Sequence, residues 1–222
     1  MVKKKPVIFC DFDGTLMEKD IGHALFTHFS GGRNLPLVEQ WKNMEISSRE
    51  CLRAEAELLI NINIDDIYKF LDQFEPRSGF PEFYERIRAD EIPLYVVSDG
   101  ADIYIKYLLK KSEFKEIPFF SNRVRIENGR YIMEFPYDNN GCIRCGSCKG
   151  ARIREIINNS PEKYEIYYIG DGLSDICAVP HADIIFARGD FLDYCRNNNF
   201  KAVEYADFFD ILGYLKNAAV IL

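Results

Sequence analysis

Asp11 and Asp13 stand either side of Phe12 at the end of the apolar run Val7-Ile8-Phe9-Cys10, and the turn residues Gly14-Thr15 follow at once. The run reads as a short strand, so the pattern presents a carboxylate nucleophile where a strand stops. Alternate residues of a strand share a face, so the two acids point the same way only if the chain stays extended past Phe12. Two carboxylates held close repel unless they share a proton or bind a hard cation through oxygen. Mg²⁺ suits such a pair, and the site would also take a phosphate. Asp and Gly are ordinary turn formers too, and the same residues could make a turn and nothing more.

Three later segments carry polar residues at or just beyond a predicted strand or helix start. The apolar run Ile92 to Val97 ends in Ser98-Asp99-Gly100, a hydroxyl placed where a phosphate could be bound. Lys149 opens a helical stretch over 149–158, and Ile166 to Ile169 runs into Gly170-Asp171-Gly172-Leu173-Ser174-Asp175. Singly these are a common turn, a solvated lysine and a strand-to-helix link. Together and in this order they resemble the four motifs of the haloacid dehalogenase-like hydrolase superfamily, whose members mostly transfer phosphoryl groups through an aspartyl-phosphate. The resemblance spans the chain from Val7 to about Cys195.

The resemblance implies a role for each residue. Asp11 is the nucleophile, and Asp13 protonates the departing alcohol and then deprotonates the attacking water. Mg²⁺ is held by Asp11, the main-chain carbonyl of Asp13 and Asp171, with Asp175 in support. Lys149 balances the carboxylate charge and binds the phosphoryl group, while Thr15 or Ser98, with Asp99 and Gly100 beside it, lines the phosphate site. Asp99 and Asp175 could instead serve as turn or helix N-terminal residues. Superfamily dehalogenases lack an acid where this chain has Asp13, which implies a phosphatase. A phosphomutase would use the same residues under a water-excluding cap, and a non-catalytic phosphate-binding protein would keep the fold without releasing phosphate.

From residue 80 onward helical and strand patterns alternate, which predicts an α/β fold: a Rossmann-like parallel sheet with helices on both faces. Residues 18–77 lack strand signals, and Asp20 to Phe29, Leu35 to Met44, Ser47 to Ile60 and Asp65 to Phe74 have helical spacing. Ser47 and Glu50 form a capping-box pattern at the start of the third. This insertion resembles the cap of phosphoserine-phosphatase-like members, giving a core of 1–17 and 78–222 and a cap of 18–77. Arg123 to Glu127 and Arg130 to Phe135 flank Asn128-Gly129, which predicts a β-hairpin over 123–135, at the site's mouth or as an edge decoration.

The chain has 222 residues, 47% of them hydrophobic, enough for one core domain and a small accessory one. Its net charge of −7 argues against nucleic-acid and anionic-membrane partners, and the Lys3-Lys4-Lys5 run is too short to reverse that. The apolar run ahead of Asp11 is only the four residues Val7 to Cys10, and no stretch approaches the roughly 20 apolar residues of a spanning helix. A soluble, cytoplasmic protein acting on a small phosphorylated metabolite, as a monomer or homodimer, is the expectation.

Asp20, nine residues after Asp11, falls where phosphoserine phosphatases have a substrate-binding Glu, so the resemblance implies a substrate-binding role with a shorter acid. Arg33, Arg49 and Arg53 could grip a substrate anion or lie on solvated helix faces. Val97 to Asp102, the cysteine-rich approach to Lys149 and Ala182 to Ala187 resemble the branch that includes the methionine-salvage enol-phosphate phosphatase and the phosphoethanolamine and phosphocholine phosphatases. Of seven cysteines, Cys142, Cys145 and Cys148 have a spacing that suits a structural Zn²⁺ with a fourth ligand such as Cys177 or His181. A reduced loop or a redox-sensitive pair would use the same residues. Cys10, Cys51, Cys177 and Cys195 are scattered and read as reduced packing residues.

Overall fold

In the computed structural model, which describes residues 4–221, the run ahead of Asp11 forms the strand β1 (Lys5–Cys10). Residues 1–3, including Lys3 of the basic run, and residue 222 lie outside the described residues. Val7, Ile8, Phe9 and Cys10 are all buried, as expected for a strand covered on both faces. Val7 and Phe9 face one apolar cluster and Ile8 and Cys10 the other, so the strand's alternation divides the core in two.

Four helices follow before the next strand: α1 (Ile21–Ser30), α2 (Leu35–Lys42), α3 (Ser48–Glu57) and α4 (Ile64–Leu71). Asp20 caps α1 through the His23 N–H at 2.8 Å. The Ser47–Glu50 capping box is formed at α3, with the Ser47 N–H donating to Glu50 at 2.8 Å. Met17 and Pro76 pair where the chain leaves and re-enters the sheet region. The buried Arg77 guanidinium donates to the Thr15 carbonyl at 3.0 Å, the Glu18 carbonyl at 3.2 Å and the Gly14 carbonyl, tying the two crossings together.

The helix α5 (Phe80–Ala89) then leads to β2 (Leu94–Ala101), α6 (Asp102–Lys111), β3 (Phe119–Glu127) and β4 (Arg130–Glu134). Beyond them lie α7 (Lys149–Asn158), β5 (Tyr164–Gly170), a 3-10 segment (Leu173–His181), β6 (Ile184–Ala187), α8 (Gly189–Asn197), β7 (Val203–Glu204) and α9 (Phe208–Asn217). The sheet of seven strands among the described residues has the order β4-β3-β2-β1-β5-β6-β7. All neighbours are parallel except β3 and β4. Residues of α5, α6 and α9 pack on one face and residues of α7 and α8 on the other. The order reverses at β1, which pairs with β2 on one side and β5 on the other, and such a switch point opens a crevice at the carboxyl ends of the strands.

The sequence suggests separate strands before and after residue 121, but β3 is continuous. Its first half pairs with β2 through Phe120 and Asn122, and its second half pairs with β4 through Val124 and Ile126. Ser121 and Asn122 are buried between the halves, and no turn residue interrupts them. Asn128 and Gly129 have φ of 50° and 73°, the positive pair that a type I′ turn requires. The tip touches the helical insertion, where the Asn61 N–H donates to the Gly129 carbonyl at 2.7 Å and Tyr131 to the Ile62 carbonyl at 2.9 Å. Among the described residues no helix is long and apolar enough to cross a membrane.

Phe80 is fully buried, with ring centroids of Phe114 and Phe208 at 5.0 and 4.9 Å. Phe80→Ala is expected to lower the unfolding free energy by about 3–5 kcal/mol in urea titrations. A loss under about 1 kcal/mol would show that α5 and α9 do not share a tight core.

Candidate active site

Asp11 leaves β1 with its Oδ1 accepting the Phe12 N–H at 2.7 Å and its Oδ2 paired to the Lys149 ammonium at 2.8 Å. The chain does not stay extended beyond it. Phe12–Leu16 wraps into one wide turn with Gly14 at a φ of 69°, so Asp13 is carried to the side of the insertion. There its Oδ1 accepts the Ile21 and Gly22 N–H groups at 2.9 and 3.1 Å, at the start of α1. Its Oδ2 accepts the Tyr104 hydroxyl at 2.9 Å and faces the Ser98 hydroxyl at 3.5 Å. Burial, reinforced by Asp20, pushes the Asp13 carboxyl up to about 7. Burial also holds Asp11 above the usual carboxylate range, against the pull of Lys149.

Lys149 opens α7 and is 1% exposed. Its ammonium meets Asp11 at 2.8 Å, Asp175 Oδ1 at 2.5 Å and the Ser174 hydroxyl at 2.7 Å. Burial alone would lower its pKa, but the two carboxylates outweigh burial and hold it above the ordinary lysine value. Asp175 Oδ1 also accepts the Tyr168 hydroxyl at 2.5 Å, and its Oδ2 accepts the Asp171 and Gly172 N–H groups at 2.9 and 2.8 Å. Four donors thus occupy the roughly four acceptor positions of that carboxylate.

Thr15 donates its hydroxyl to Asp171 Oδ1 at 2.9 Å. A Cβ on residue 14 would strike the Asp171 carboxylate, so glycine permits the approach as well as the positive φ. Burial, then Asp175, pushes Asp171 up to about 6. Oxygens of Asp11, Asp171 and Asp175 lie within 4.8 Å of one another, with Lys149 as the adjoining cation. The four donors on Asp175 leave it no position for an ion, against the supporting metal role the sequence suggests, whereas Asp11 and Asp171 keep free oxygen positions and form an all-oxygen set that fits a hard divalent cation such as Mg²⁺.

A cavity of about 280 Å³ opens above this floor. Asp11, Asp13, Asp20, Ser98, Asp99, Gly100 and Asp171 line it, whereas Thr15, Lys149 and Asp175 stand behind the lining. Asp99 joins the insertion to the core: it accepts the Ser48 hydroxyl and the Ser147 N–H, both at 2.6 Å, and Asn122 at 3.3 Å. Asp20 lines the cavity while also capping α1. The roof comes from the insertion, with Phe26, Val38, Trp41 and Leu52 as apolar walls and His23, Lys42 and Glu55 as polar ones.

Arg33, Arg49 and Arg53 lie outside the cavity, Arg33 and Arg53 exposed to solvent and Arg49 half-buried. Arg33 donates to the Ser30 and Leu58 carbonyls, and Arg49 and Arg53 lie over the Phe135 ring at 5.3 and 5.0 Å. Tyr104, Tyr168, Ser174 and the roof residues escape the sequence reading. Ser174 could have been found, because it lies inside the Gly170–Asp175 run, but the tyrosines sit among apolar residues and carry no local mark.

A family model described as haloacid dehalogenase-like hydrolase matches residues 8–179. A 2-hydroxy-3-keto-5-methylthiopentenyl-1-phosphate phosphatase of Bacillus pumilus is 31% identical over 211 residues, covering 94% of this chain and 90% of that one. The phosphatase of the same name from Geobacillus thermodenitrificans is 30% identical, covering 99% of this chain and 100% of that one. Among solved structures, a phospho-aspartyl intermediate analogue of phosphoserine phosphatase shares the fold with a TM-score of 0.75 at 22% identity, over 96% of this chain and 99% of that one.

Glu55, 5% exposed and bonded to Asn34 at 3.0 Å, is pushed by burial from 4.5 up to about 7. The folded state therefore holds a proton that the unfolded state releases. The contribution to stability is fully present below about pH 4.5 and is lost as pH rises through about 7. Glu55→Gln should flatten the decline in unfolding free energy between those limits by up to about 3 kcal/mol, read by denaturant titration at a series of pH values. An unchanged pH dependence would place the titration elsewhere.

Proposed function

The chain belongs to the haloacid dehalogenase-like hydrolase family and is a phosphatase acting on a small phosphorylated substrate, and from that premise we propose that it hydrolyses a phosphomonoester with Mg²⁺ through an aspartyl-phosphate on Asp11. The observation that carries this reading is the parting of the two acids. Asp11 lies against the Lys149 ammonium, and Asp13 lies against Tyr104 and the start of α1. One is placed beside a cation for attack, and the other faces the side from which a leaving group departs.

In the first half-reaction an Asp11 oxygen attacks phosphorus, the bond from phosphorus to the ester oxygen breaks, and Asp13 gives that oxygen its proton. In the second, Asp13 takes a proton from water, whose oxygen attacks the same phosphorus and frees phosphate and Asp11. Lys149 steadies the negative charge gathered at Asp11, and the buried Ser98, whose oxygen accepts the Gly100 N–H at 2.9 Å, stands ready to donate to a phosphoryl oxygen. Asp11, Asp171 and the Asp13 carbonyl would hold Mg²⁺, with Asp175 orienting Lys149 and the backbone at 171–172. The ion would screen the anionic nucleophile from an anionic ester.

Residues 18–77 act as a cap whose α1 N–H groups hold Asp13, so cap position and acid position are linked. The roof favours a short ester with an apolar tail, Phe26, Val38, Trp41 and Leu52 enclosing the end remote from the phosphate. That is the class to which the keto-methylthiopentenyl phosphate named for the relatives belongs. Asp20 already spends one oxygen on the His23 N–H, which weakens it as an anchor for a substrate amine.

Phosphate release should be Mg²⁺-dependent, selective for short apolar esters over phosphoserine, and abolished in Asp11→Asn. Release from no compound in a broad panel would sink the hydrolase reading in favour of a mutase or a phosphate-binding protein. Asp13→Asn should slow alkyl esters on the order of 10²–10⁴-fold. With p-nitrophenyl phosphate, whose leaving group needs no proton, the same variant should give a stoichiometric burst and then slow turnover. Equal slowing of burst and steady state would deny Asp13 its second role.

A further inference from the structure

The cysteines ahead of Lys149 acquire a fourth partner in the fold. Cys142, Cys145 and Cys148 come from the loop between β4 and α7, and Cys177 comes from the 3-10 segment beyond Asp175. The four sulfurs lie within 4.8 Å of one another. Cys145 and Cys177 Sγ are 3.8 Å apart. Sulfurs at the corners of a tetrahedron around a zinc ion, each about 2.3 Å from it, stand roughly 3.8 Å apart, whereas a disulfide brings two to about 2.05 Å. No disulfide is present among the described residues. We propose that these four cysteines hold a structural Zn²⁺.

The donor set decides the kind of site. Four thiolates close a tetrahedral shell and leave no position for water or substrate, which is the mark of a structural rather than a catalytic zinc. Soft sulfur ligands select Zn²⁺ over Mg²⁺, so the site does not compete with the carboxylates near Asp11. His181, the other candidate for the fourth ligand, is turned to Arg154 at 3.1 Å.

The surrounding chain is shaped to this knuckle. Buried Asn139 donates to the Cys145 and Gly146 carbonyls at 2.8 and 3.0 Å and accepts the Cys148 N–H at 2.9 Å. A Cβ on residue 150 would strike the Cys177 carbonyl, so glycine lets α7 lie against the 3-10 segment. The ion would thereby bolt together the two elements whose side chains meet as Lys149 and Asp175. The same loop carries the Arg144 carbonyl, which accepts the Ser48 N–H at 2.8 Å, and the Cys145 carbonyl, which accepts Arg49 at 3.1 Å. The start of α3 therefore rests on the knuckle.

Metal analysis of protein purified under reducing conditions without chelator should find one zinc per chain, released when a mercurial titrates the thiols. Protein unfolded with chelator and refolded with Co²⁺ should show thiolate-to-cobalt charge transfer and intense visible bands of a tetrahedral sulfur site. Cys177→Ser should lose the zinc or shift those bands, while Cys195→Ser, outside the cluster, should keep both. Asp11→Asn should retain full zinc, so the result stands apart from the catalytic reading. Absence of zinc together with absence of cobalt bands, a disulfide among the four, or iron in place of zinc would overturn the proposal.

Discussion

The ion triad of Asp11, Lys149 and Asp175 is the constraint on which the rest of the molecule depends. An ammonium at 1% exposure is tolerable only if carboxylates meet it on more than one side, and they do so at 2.8 and 2.5 Å. Each member comes from a different segment: a strand end, the first turn of α7 and the 3-10 segment. Bringing them to one point requires β1 and β5 to lie side by side and α7 to cover them, which the sheet order provides. Removing one partner would strand a buried charge, at a cost of about 3–5 kcal/mol in comparable buried pairs.

Charge organises the space around the triad as well. Asp175 receives four donors, and that saturation fixes the backbone at Asp171 and Gly172 and so the direction of the Asp171 carboxylate. Asp13 is kept out of the triad by Gly14, whose left-handed backbone turns the chain toward the insertion. Two acids that start as sequence neighbours thus end in different surroundings: one beside a permanent cation, the other among neutral donors. Environment rather than residue type distinguishes them.

What the sequence discloses is what local patterns encode. The apolar runs of β1, β2 and β5, the Ser47–Glu50 cap, the Asn128-Gly129 turn and the placement of Lys149 at a helix start are all short-range features, and the structure has them. The continuity of β3 was hidden because its two halves take different partners in opposite directions. Tyr104 reaches Asp13 across 91 positions of chain, and nothing in the text of α6 marks it as polar in function. The Thr15 hydroxyl looked free for a phosphate and is engaged by Asp171 across 156 positions. Arg49 and Arg53 stay at the surface and also cover Phe135, a contact that only the fold could disclose.

The clasp at Met17, Pro76 and Arg77 has a consequence for how such a molecule can change. Both ends of the helical insertion are pinned one strand spacing apart, so to the sheet it is a closed loop of nearly zero span. Loop-closure entropy grows only slowly with length, and helices can be gained, lost or exchanged beyond the clasp without altering the distance the sheet must bridge. Beyond α1, whose N–H groups hold Asp13, the floor and the roof of the cavity are therefore separable inheritances. A lineage can keep one chemistry while trading the enclosure that chooses what it acts upon.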